Sequence, residues 1–422
     1  MKIMVVGGGG REHAIIKKIK ENKSVEEIFA LPGNGGMHGE ATLVPIGAKD
    51  LDKICEFAKN EKIDYAIVAP DDPLVLGLVD RLSEIGIPAF GPNKAAAIIE
   101  GSKVFSKNLM KKYSIPTAEY EVFDNAAAAL EYVSSCKIPT VIKADGLALG
   151  KGVIIATDRE MALDAVKSIM QDGKFGKSGD KIVIEEFLEG PEVSVLAFTD
   201  GKTLVPMVSS MDHKRIGDFD TGLNTGGMGT VAPNPYYTED IRKICMDTIF
   251  MPTVAAMNKE GRTFRGCLYF GLMLTKDGPR VIEYNCRFGD PETQVVLPLL
   301  KSDLLSIMMA TTNGTLDKTP VEFDTGAAAC VILASKGYPE KYESGFEITL
   351  PHDAVESTVF AGARLENGKL YTAGGRVLGA CATAESLEDA LKLAYERAHK
   401  IKFEGAYYRR DIGARALAAK KN

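Results

Sequence analysis

The first hundred residues alternate short apolar runs with amphipathic segments, and that rhythm leaves few folds open. Ile3–Val6, Ile28–Leu31, Tyr65–Ala69 and Pro88–Phe90 read as buried strands, and 11–21, 50–60, 73–85 and 93–100 as helices. A parallel pair of strands needs a crossover connection, which a helix supplies. The rhythm therefore predicts a doubly wound parallel sheet, closed by Gly91-Pro92. Ligands of such sheets collect at the carboxyl ends of the strands. Those ends carry Gly7-Gly8-Gly9-Gly10-Arg11, Pro32-Gly33-Asn34-Gly35-Gly36 and Pro70-Asp71-Asp72-Pro73.

The first loop is not a dinucleotide fingerprint. G-x-G-x-x-G requires a third glycine at position 12 or 13, where Glu12 and His13 stand. The second strand ends in Ala30-Leu31-Pro32-Gly33-Asn34 instead of the acidic residue that would hold a ribose. A simple phosphate at the helix N-terminus, gripped from the side by Arg11, fits better than NAD. Three loops at one rim suggest one small phosphorylated ligand whose hydroxyls meet Asp71 or Asn34. Each loop taken alone is better explained as plain turn chemistry.

A chain of 422 residues has room for about three domains. With 45% apolar and 26% charged residues it is not disordered throughout. A net charge of −6 argues against a general nucleic-acid surface. Seven scattered cysteines without a C-x-x-C argue against a disulfide framework or structural zinc and suit a reducing compartment. No secretory segment is visible, and the longest apolar run, Gly326–Ala334, is too short to span a bilayer. A cytoplasmic enzyme is expected.

Residues 102–117 read as a linking helix. From 118 to 188 come a strand, a helix (125–135), a strand (139–144), a glycine-rich loop (145–152), a strand (152–156), a helix (158–170) and a strand (181–187). Strands that succeed one another without an obligatory crossover suggest a small α+β lobe. Residues 189–325 carry strands at 193–199, 264–275 and 280–285, a polar loop at 210–230 and a helix at 239–259. From 326 on, strands near 327–334, 357–360 and 376–380 and a helix at 386–402 suggest a closing domain.

Lys143 lies on a strand, before the flexible loop that carries Gly150-Lys151-Gly152. The loop is not a Walker P-loop, since Gly152 stands where Ser or Thr is needed. A strand lysine with a glycine flap is still a sensible hold on a triphosphate, against the plainer possibility of a hairpin with a solvated lysine. Glu185 ends a later strand and Glu192 comes after a loop, positions from which adenine and ribose are reachable, although the stretch alone reads more readily as a strand meeting water. The strand Val281-Ile282-Glu283-Tyr284-Asn285-Cys286-Arg287 is the most informative stretch. Glu283, Asn285 and Arg287 share one face between apolar neighbours. A magnesium ion on the oxygens of Glu283 and Asn285 accounts for that face, and Arg287 can hold a carboxylate or a transferring phosphoryl group. A half-exposed edge strand accounts for it less well. The loop bearing Asp212-His213-Lys214-Arg215 and Asn224-Thr225-Gly226-Gly227-Met228-Gly229 suits an anionic substrate, or is a plain surface loop.

Taken in order, these segments resemble the ATP-grasp superfamily, and within it the phosphoribosylamine–glycine ligases. The resemblance also rests on Phe90-Gly91-Pro92, Glu100-Gly101-Ser102-Lys103 and Cys286-Arg287-Phe288-Gly289-Asp290-Pro291-Glu292-Thr293-Gln294, and it covers essentially the whole chain. The pattern departs from the family at Asp71, where Glu is usual, at Met211, where Gln is usual, and at Leu223, where Pro is common.

The resemblance implies an α/β protein: a pre-ATP-grasp N-terminal domain (1–101), a two-lobed α+β ATP-grasp core (102–325, small lobe about 118–188) and a small C-terminal α/β domain (326–422). It implies ATP and Mg2+ (or Mn2+) as cofactors. Lys103, Lys143, Gly150, Lys151 and Gly152 would meet the phosphates, Glu185, Phe187 and Leu188 the adenine, and Glu192 the ribose. Glu283 and Asn285 would hold the metal. Gly9, Gly10, Arg11, Gly33, Asn34, Asp71, Asp212, Lys214, Asn224, Gly226 and Arg287 would contact substrates, with Arg287, Lys143, Asp212 and Lys214 catalytic. The implied reaction joins glycine to 5-phospho-β-D-ribosylamine through glycyl phosphate, in de novo purine biosynthesis. Another carboxylate–amine ligase of the superfamily is the alternative. The expected partners are these small molecules alone, without nucleic acid or membrane, for a monomeric enzyme.

Overall fold

A computed structural model describes residues 1–148 and 152–419. The first sheet is parallel throughout, in the order Thr42–Leu43, Glu27–Pro32, Lys2–Gly7, Tyr65–Val68, Ala89–Phe90. The edge strand Thr42–Leu43 has only two residues, too few to show a period in the sequence. The helix expected over 73–85 is two helices, Asp71–Leu76 and Leu78–Glu84, because Gly77 between them is left-handed at φ +97°. Both faces of the sheet are covered. Met4, Val6, Phe29, Leu31, Ala66 and Val68 share a core with Phe250, Phe270 and Tyr284. Ile3, Val5, Ile28, Ala30 and Ile67 pack with Phe198, Phe288 and Leu304. Burial on both faces explains why these strands read as continuous apolar runs.

The small lobe is an antiparallel sheet ordered Tyr120–Phe123, Ile182–Glu186, Thr140–Ala144, Val153–Ala156. Two helical stretches beginning at Ala126 and Arg159 give it a core of its own, with Ala129, Val133, Ile142, Ala162 and Val166 buried. Facing it is a second antiparallel sheet, Leu204–Pro206, Glu192–Thr199, Gly266–Thr275, Gly278–Asn285. Helical backbone runs without a break through Glu239–Cys245, Met246–Phe250 and Met251–Lys259, as the amphipathic pattern over 239–259 predicts.

The closing domain differs from its expected outline. Its main sheet is ordered Met211–Asp212, Gly229–Ala232, Ala327–Ser335, Arg376–Ala384, Thr358–Phe360, with Ala406–Tyr407 on Ala327–Ser335. Two of these strands come from the stretch 210–230 that reads as a polar loop. Between them, Arg215–Gly217 pairs with Thr221–Asn224 as a hairpin. Strands this short, rich in glycine and polar residues, carry no alternation of their own. Gly229–Ala232 is a strand because Ala328–Val331, a hundred residues later, pairs with it. The helix Leu387–Lys400 covers the sheet through Leu387, Ala390, Leu391, Ala394 and Ala398. Among the described residues no helix is long and apolar enough to cross a membrane.

Because the closing sheet takes strands from both sides of residue 325, a fragment 1–325 should lose cooperative folding. Cutting there leaves the edge of Gly229–Ala232 that faces Ala328–Val331 unpaired and its apolar face wet. Circular dichroism of the fragment should show no sharp thermal transition. A cooperative melt within a few degrees of the full chain would disprove this.

Candidate active site

A cleft of about 800 Å3 lies where the small lobe, the second sheet and the loops of the first and closing domains meet. At its inner end, helix Lys103–Lys112 begins at Ser102, whose hydroxyl accepts the Phe105 N–H at 3.0 Å. Lys103 and Lys107, one turn apart, both reach the cleft. Lys103 Nζ donates to the Gly146 carbonyl at 3.0 Å, and Asp145 Oδ1 takes the Ser102 hydroxyl (2.9 Å) and the Val104 N–H (2.8 Å). The glycine loop is thus tied to the start of the helix.

Glu185 is the hub of this end. Its Oε2 lies 3.0 Å from both Lys107 Nζ and Lys143 Nζ, and all three side chains are buried. Lys143 also donates to the Ile282 carbonyl at 3.0 Å. Burial pushes the Lys107 ammonium down to about 8, although Glu185 opposes it. Glu185 Oε1 is buried without a hydrogen-bond partner. Phe187, Leu188 and Glu192 continue this wall, and Gly152 lines it too. Gly150 and Lys151 lie outside the described residues.

The middle of the cleft is built from the strand Gly278–Asn285 and the residues just past its end. Glu283, Asn285 and Arg287 all line it, as the two-residue period requires. Arg287 Nη2 lies 2.9 Å from Glu100 Oε1 and donates to Asn285 Oδ1 at 3.2 Å. Glu100 Oε2 accepts the Cys286 N–H at 2.7 Å, so one buried carboxylate braces two successive residues. Burial works against the Arg287 charge, but Glu100 and Asp71 raise its pKa above the ordinary value. Burial would also raise the Glu283 carboxyl, yet Lys214, Lys143, Lys103 and Arg287 hold it below its usual range. Asp71 behaves likewise, with burial outweighed by Arg287 and Arg11.

At the outer end, Lys214 Nζ lies 3.5 Å from Glu192 and 3.6 Å from Glu283. Burial, then the charge of Glu292, pushes the Asp212 carboxyl well above its usual value. Glu292 Oε1 accepts the Tyr269 hydroxyl at 3.1 Å. Asn224 and Gly226 lie on the same rim.

The first glycine loop is placed otherwise than its sequence suggests. Gly9, Gly10, Gly33 and Asn34 are not among the residues lining the cleft. The Gly9 N–H donates to Glu12 Oε2 at 2.6 Å and the Arg11 N–H to Asp290 Oδ2 at 3.3 Å, so carboxylates of the protein already hold these amides. Asn34 Nδ2 bridges the carbonyls of Gly8 (2.9 Å) and Phe360 (3.0 Å). Arg11 does line the cleft, but its Nε donates to Glu12 (2.6 Å) and its Nη1 to the Phe288 carbonyl (3.1 Å). The glycines answer to packing: a Cβ at Gly8 would stand 2.4 Å from the Gly33 carbonyl oxygen, and one at Gly10 2.6 Å from Gln294 Nε2.

The donor set suits a hard divalent ion. Glu283 is held below its usual range and Asn285 offers a carbonyl oxygen, both in a cleft lined with lysines. Among the described residues no cluster of three or more His, Cys, Asp or Glu could hold a metal by itself. Magnesium is ordinarily held this way, by one or two protein oxygens with substrate phosphates and water completing the shell.

Residues 1–100 match the N domain of phosphoribosylglycinamide synthetase, residues 101–293 its ATP-grasp (A) domain and residues 328–415 its C domain. The chain belongs to the phosphoribosylglycinamide synthetase family. A relative from Clostridium acetobutylicum named phosphoribosylamine–glycine ligase is 49% identical over 98% of this chain and 99% of its own. One of the same name from Caldanaerobacter subterraneus is 48% identical over 98% of this chain and 100% of its own. The crystal structure of the Thermotoga maritima phosphoribosylamine–glycine ligase superposes with a TM-score of 0.84 at 37% identity, covering 98% of this chain and 100% of that one. A Campylobacter jejuni biotin carboxylase, 13% identical, superposes at 0.73 over 100% of this chain and 95% of that one, which shows shared fold alone.

Beyond the site residues expected from sequence, the cleft holds Lys107, Tyr269 and Arg376, together with Glu100 and Glu292, which entered only as members of family motifs. Lys107 was findable, one helical turn beyond Lys103. Arg376 carried no local signal.

His213 has a structural role. Its Nδ1 faces the Gly229 carbonyl at 3.1 Å, and its Nε2 accepts the Gly413 N–H at 3.0 Å. Burial, helped by the Arg409 charge, pushes it down to about 4. The unfolded chain therefore binds the extra proton first, and stability falls as pH drops from about 6.5 to about 4. The loss should be about 3 kcal/mol, from about 1.4 kcal/mol per pH unit. Urea unfolding at pH 7 and pH 4 should show His213→Gln losing less stability than the wild type by that amount. Parallel losses would refute the assignment.

Proposed function

We propose that this chain joins glycine to 5-phospho-β-D-ribosylamine, consuming ATP and releasing N1-(5-phospho-β-D-ribosyl)glycinamide, ADP and phosphate, in de novo purine (IMP) biosynthesis. The observation that carries this reading is the line of charged and polar side chains along one cleft. Lys103, Lys107 and Lys143 stand at one end, Glu283, Asn285 and Arg287 in the middle, and Asp212 and Lys214 at the other. ATP would lie against the small lobe, its adenine near Phe187 and Leu188 and its exocyclic amine donating to the free oxygen of Glu185. Glu192 would take the ribose, and Lys103 and Lys143, with Gly150, Lys151 and Gly152, the phosphates. Asn224, Gly226 and Asp212 would receive the amino acid. Asp71 and Arg11 would face the phosphoribosyl substrate, with Gly9, Gly10, Gly33 and Asn34 shaping that wall.

A carboxylate cannot acylate an amine directly, because oxide is an impossible leaving group. In the first step an oxygen of the glycine carboxylate attacks the γ-phosphorus and the bond to the β-phosphate oxygen breaks, leaving ADP and glycyl phosphate. In the second step the amine nitrogen attacks the acyl carbon. Phosphate departs with the former carboxylate oxygen, and the nitrogen gives up a proton. The chain's task is positioning and neutralisation of charge. Arg287, held by Glu100, presents a fixed fork to the transferring phosphoryl group. Lys143 and Lys214 offset charge on either side. Glu283 and Asn285 would hold magnesium or manganese, which supplies charge neutralisation at the phosphates when bound. The loop after Ala144 would exclude water from the acyl phosphate.

One chain should be the working unit, since every residue named comes from it. A cytoplasmic setting fits seven free cysteines, six of them buried.

Phosphate release should require glycine, the amine and ATP together. With 18O in the glycine carboxylate, label should appear in inorganic phosphate; its absence would exclude the acyl phosphate route. Release with another acid in place of glycine would point to a different ligase. Glu283→Gln and Arg287→Lys should each lower kcat roughly 100- to 1000-fold. Near-normal turnover in both would contradict their roles.

A further inference from the structure

The closing domain reaches the cleft through two arginines, Arg376 and Arg415, and the first of them grips the rim. Arg376 begins the strand Arg376–Ala384. Its Nη1 donates to the carbonyls of Gly226 at 2.7 Å and Asp290 at 2.8 Å, with that of Gly227 at 3.4 Å. Its Nη2 lies 3.4 Å from Asp290 Oδ2, the atom that also accepts the Arg11 N–H. From the same domain, the Tyr338 hydroxyl accepts the Gly226 N–H at 3.0 Å. The N–H and the carbonyl of Gly226 are therefore both held by side chains more than a hundred residues away.

The two glycines are shaped for this grip. A Cβ at Gly226 would stand 2.9 Å from Arg376 Cζ. Gly227 has φ +115°, and a Cβ there would stand 2.4 Å from Pro291 Cδ and 2.7 Å from Asp212 Oδ1. The guanidinium thus packs against bare backbone at Gly226. Two carbonyl dipoles turned toward Arg376 are two that do not face an incoming carboxylate. Arg376 meets three backbone carbonyls and one carboxylate, a set that a guanidinium's five donors satisfy and a lysine cannot copy.

We propose that Arg376, with Tyr338, is a positioning residue that fixes the Asn224–Gly229 loop and thereby sets the site's affinity for the amino acid to be activated. The proposal rests on the reading above that this loop receives glycine. It gives the closing domain a part in substrate selection, although neither side chain takes part in the chemistry.

The test uses the full chain with Arg376→Ala, Arg376→Lys and Tyr338→Phe, measuring KM for glycine, the amine and ATP separately. Tyr338→Phe keeps the ring contact with Tyr342. In Arg376→Ala the KM for glycine should rise at least about tenfold and that for ATP less than about twofold, with kcat falling less than KM rises. Arg376→Lys should be intermediate, Tyr338→Phe should raise the glycine KM about two- to fivefold, and added guanidinium should partly restore Arg376→Ala. Glycine and ATP constants rising in step, or an unchanged glycine KM in a variant with a normal melt, would overturn the proposal. Should Arg376→Ala fail to fold, an unchanged glycine KM in Tyr338→Phe would overturn it. A wild-type chain that forms no ADP in response to glycine would overturn the functional reading, and this proposal with it.

Discussion

The buried carboxylate of Glu185 makes the paired lysines at the inner end of the cleft possible. Two ammonium groups, those of Lys107 and Lys143, share one of its oxygens at 3.0 Å. Buried charges of one sign repel and lose their hydration, and a shared counter-ion is what keeps such a pair tolerable in the fold. The device recurs along the cleft. Glu100 serves Arg287, and Glu192 and Glu283 serve Lys214. Each of these cations is therefore held at a set position. Polar groups fixed in advance need not reorganise as charge develops, which is the chief electrostatic advantage of a protein over water.

The scaffold fixes these positions through apolar packing immediately beside them. Phe288, the neighbour of Arg287, is buried against Phe198 at 5.9 Å and Phe90 at 6.0 Å between ring centroids. Those rings come from the second sheet and the first. The charged face of the strand ending at Asn285 thus has an aromatic anchor just past its end, at the junction of two domains. Losing that anchor would remove about 3–5 kcal/mol of packing and let Arg287 drift.

Much of this was legible in the sequence where the signal is local. The parallel sheet followed from buried strands alternating with helices, and the shared face of Glu283, Asn285 and Arg287 from the two-residue period. Lys143 and Glu185 were expected at the nucleotide end, and the structure places them together. What escaped was non-local. Met211–Asp212 and Gly229–Ala232 are strands only because Ala327–Ser335 pairs with the second of them and the second with the first. The glycines at 7–10 suggested an anion cradle. Glu12 occupies the Gly9 amide and Asp290 that of Arg11, and Asp290 is nearly three hundred residues away. Arg376 is silent in the sequence, since the carbonyls it holds have no side-chain signature.

The sheet shared across residue 325 limits how this polypeptide could be recombined. The closing segment is not a cassette that could be exchanged with that of another ligase at the obvious boundary, because its sheet would arrive short of two strands. The small lobe, with its private core, is the natural unit of exchange. Chimaeras seamed near 118 and 188 would leave every ladder whole, and nucleotide preference could then be transplanted apart from acceptor chemistry.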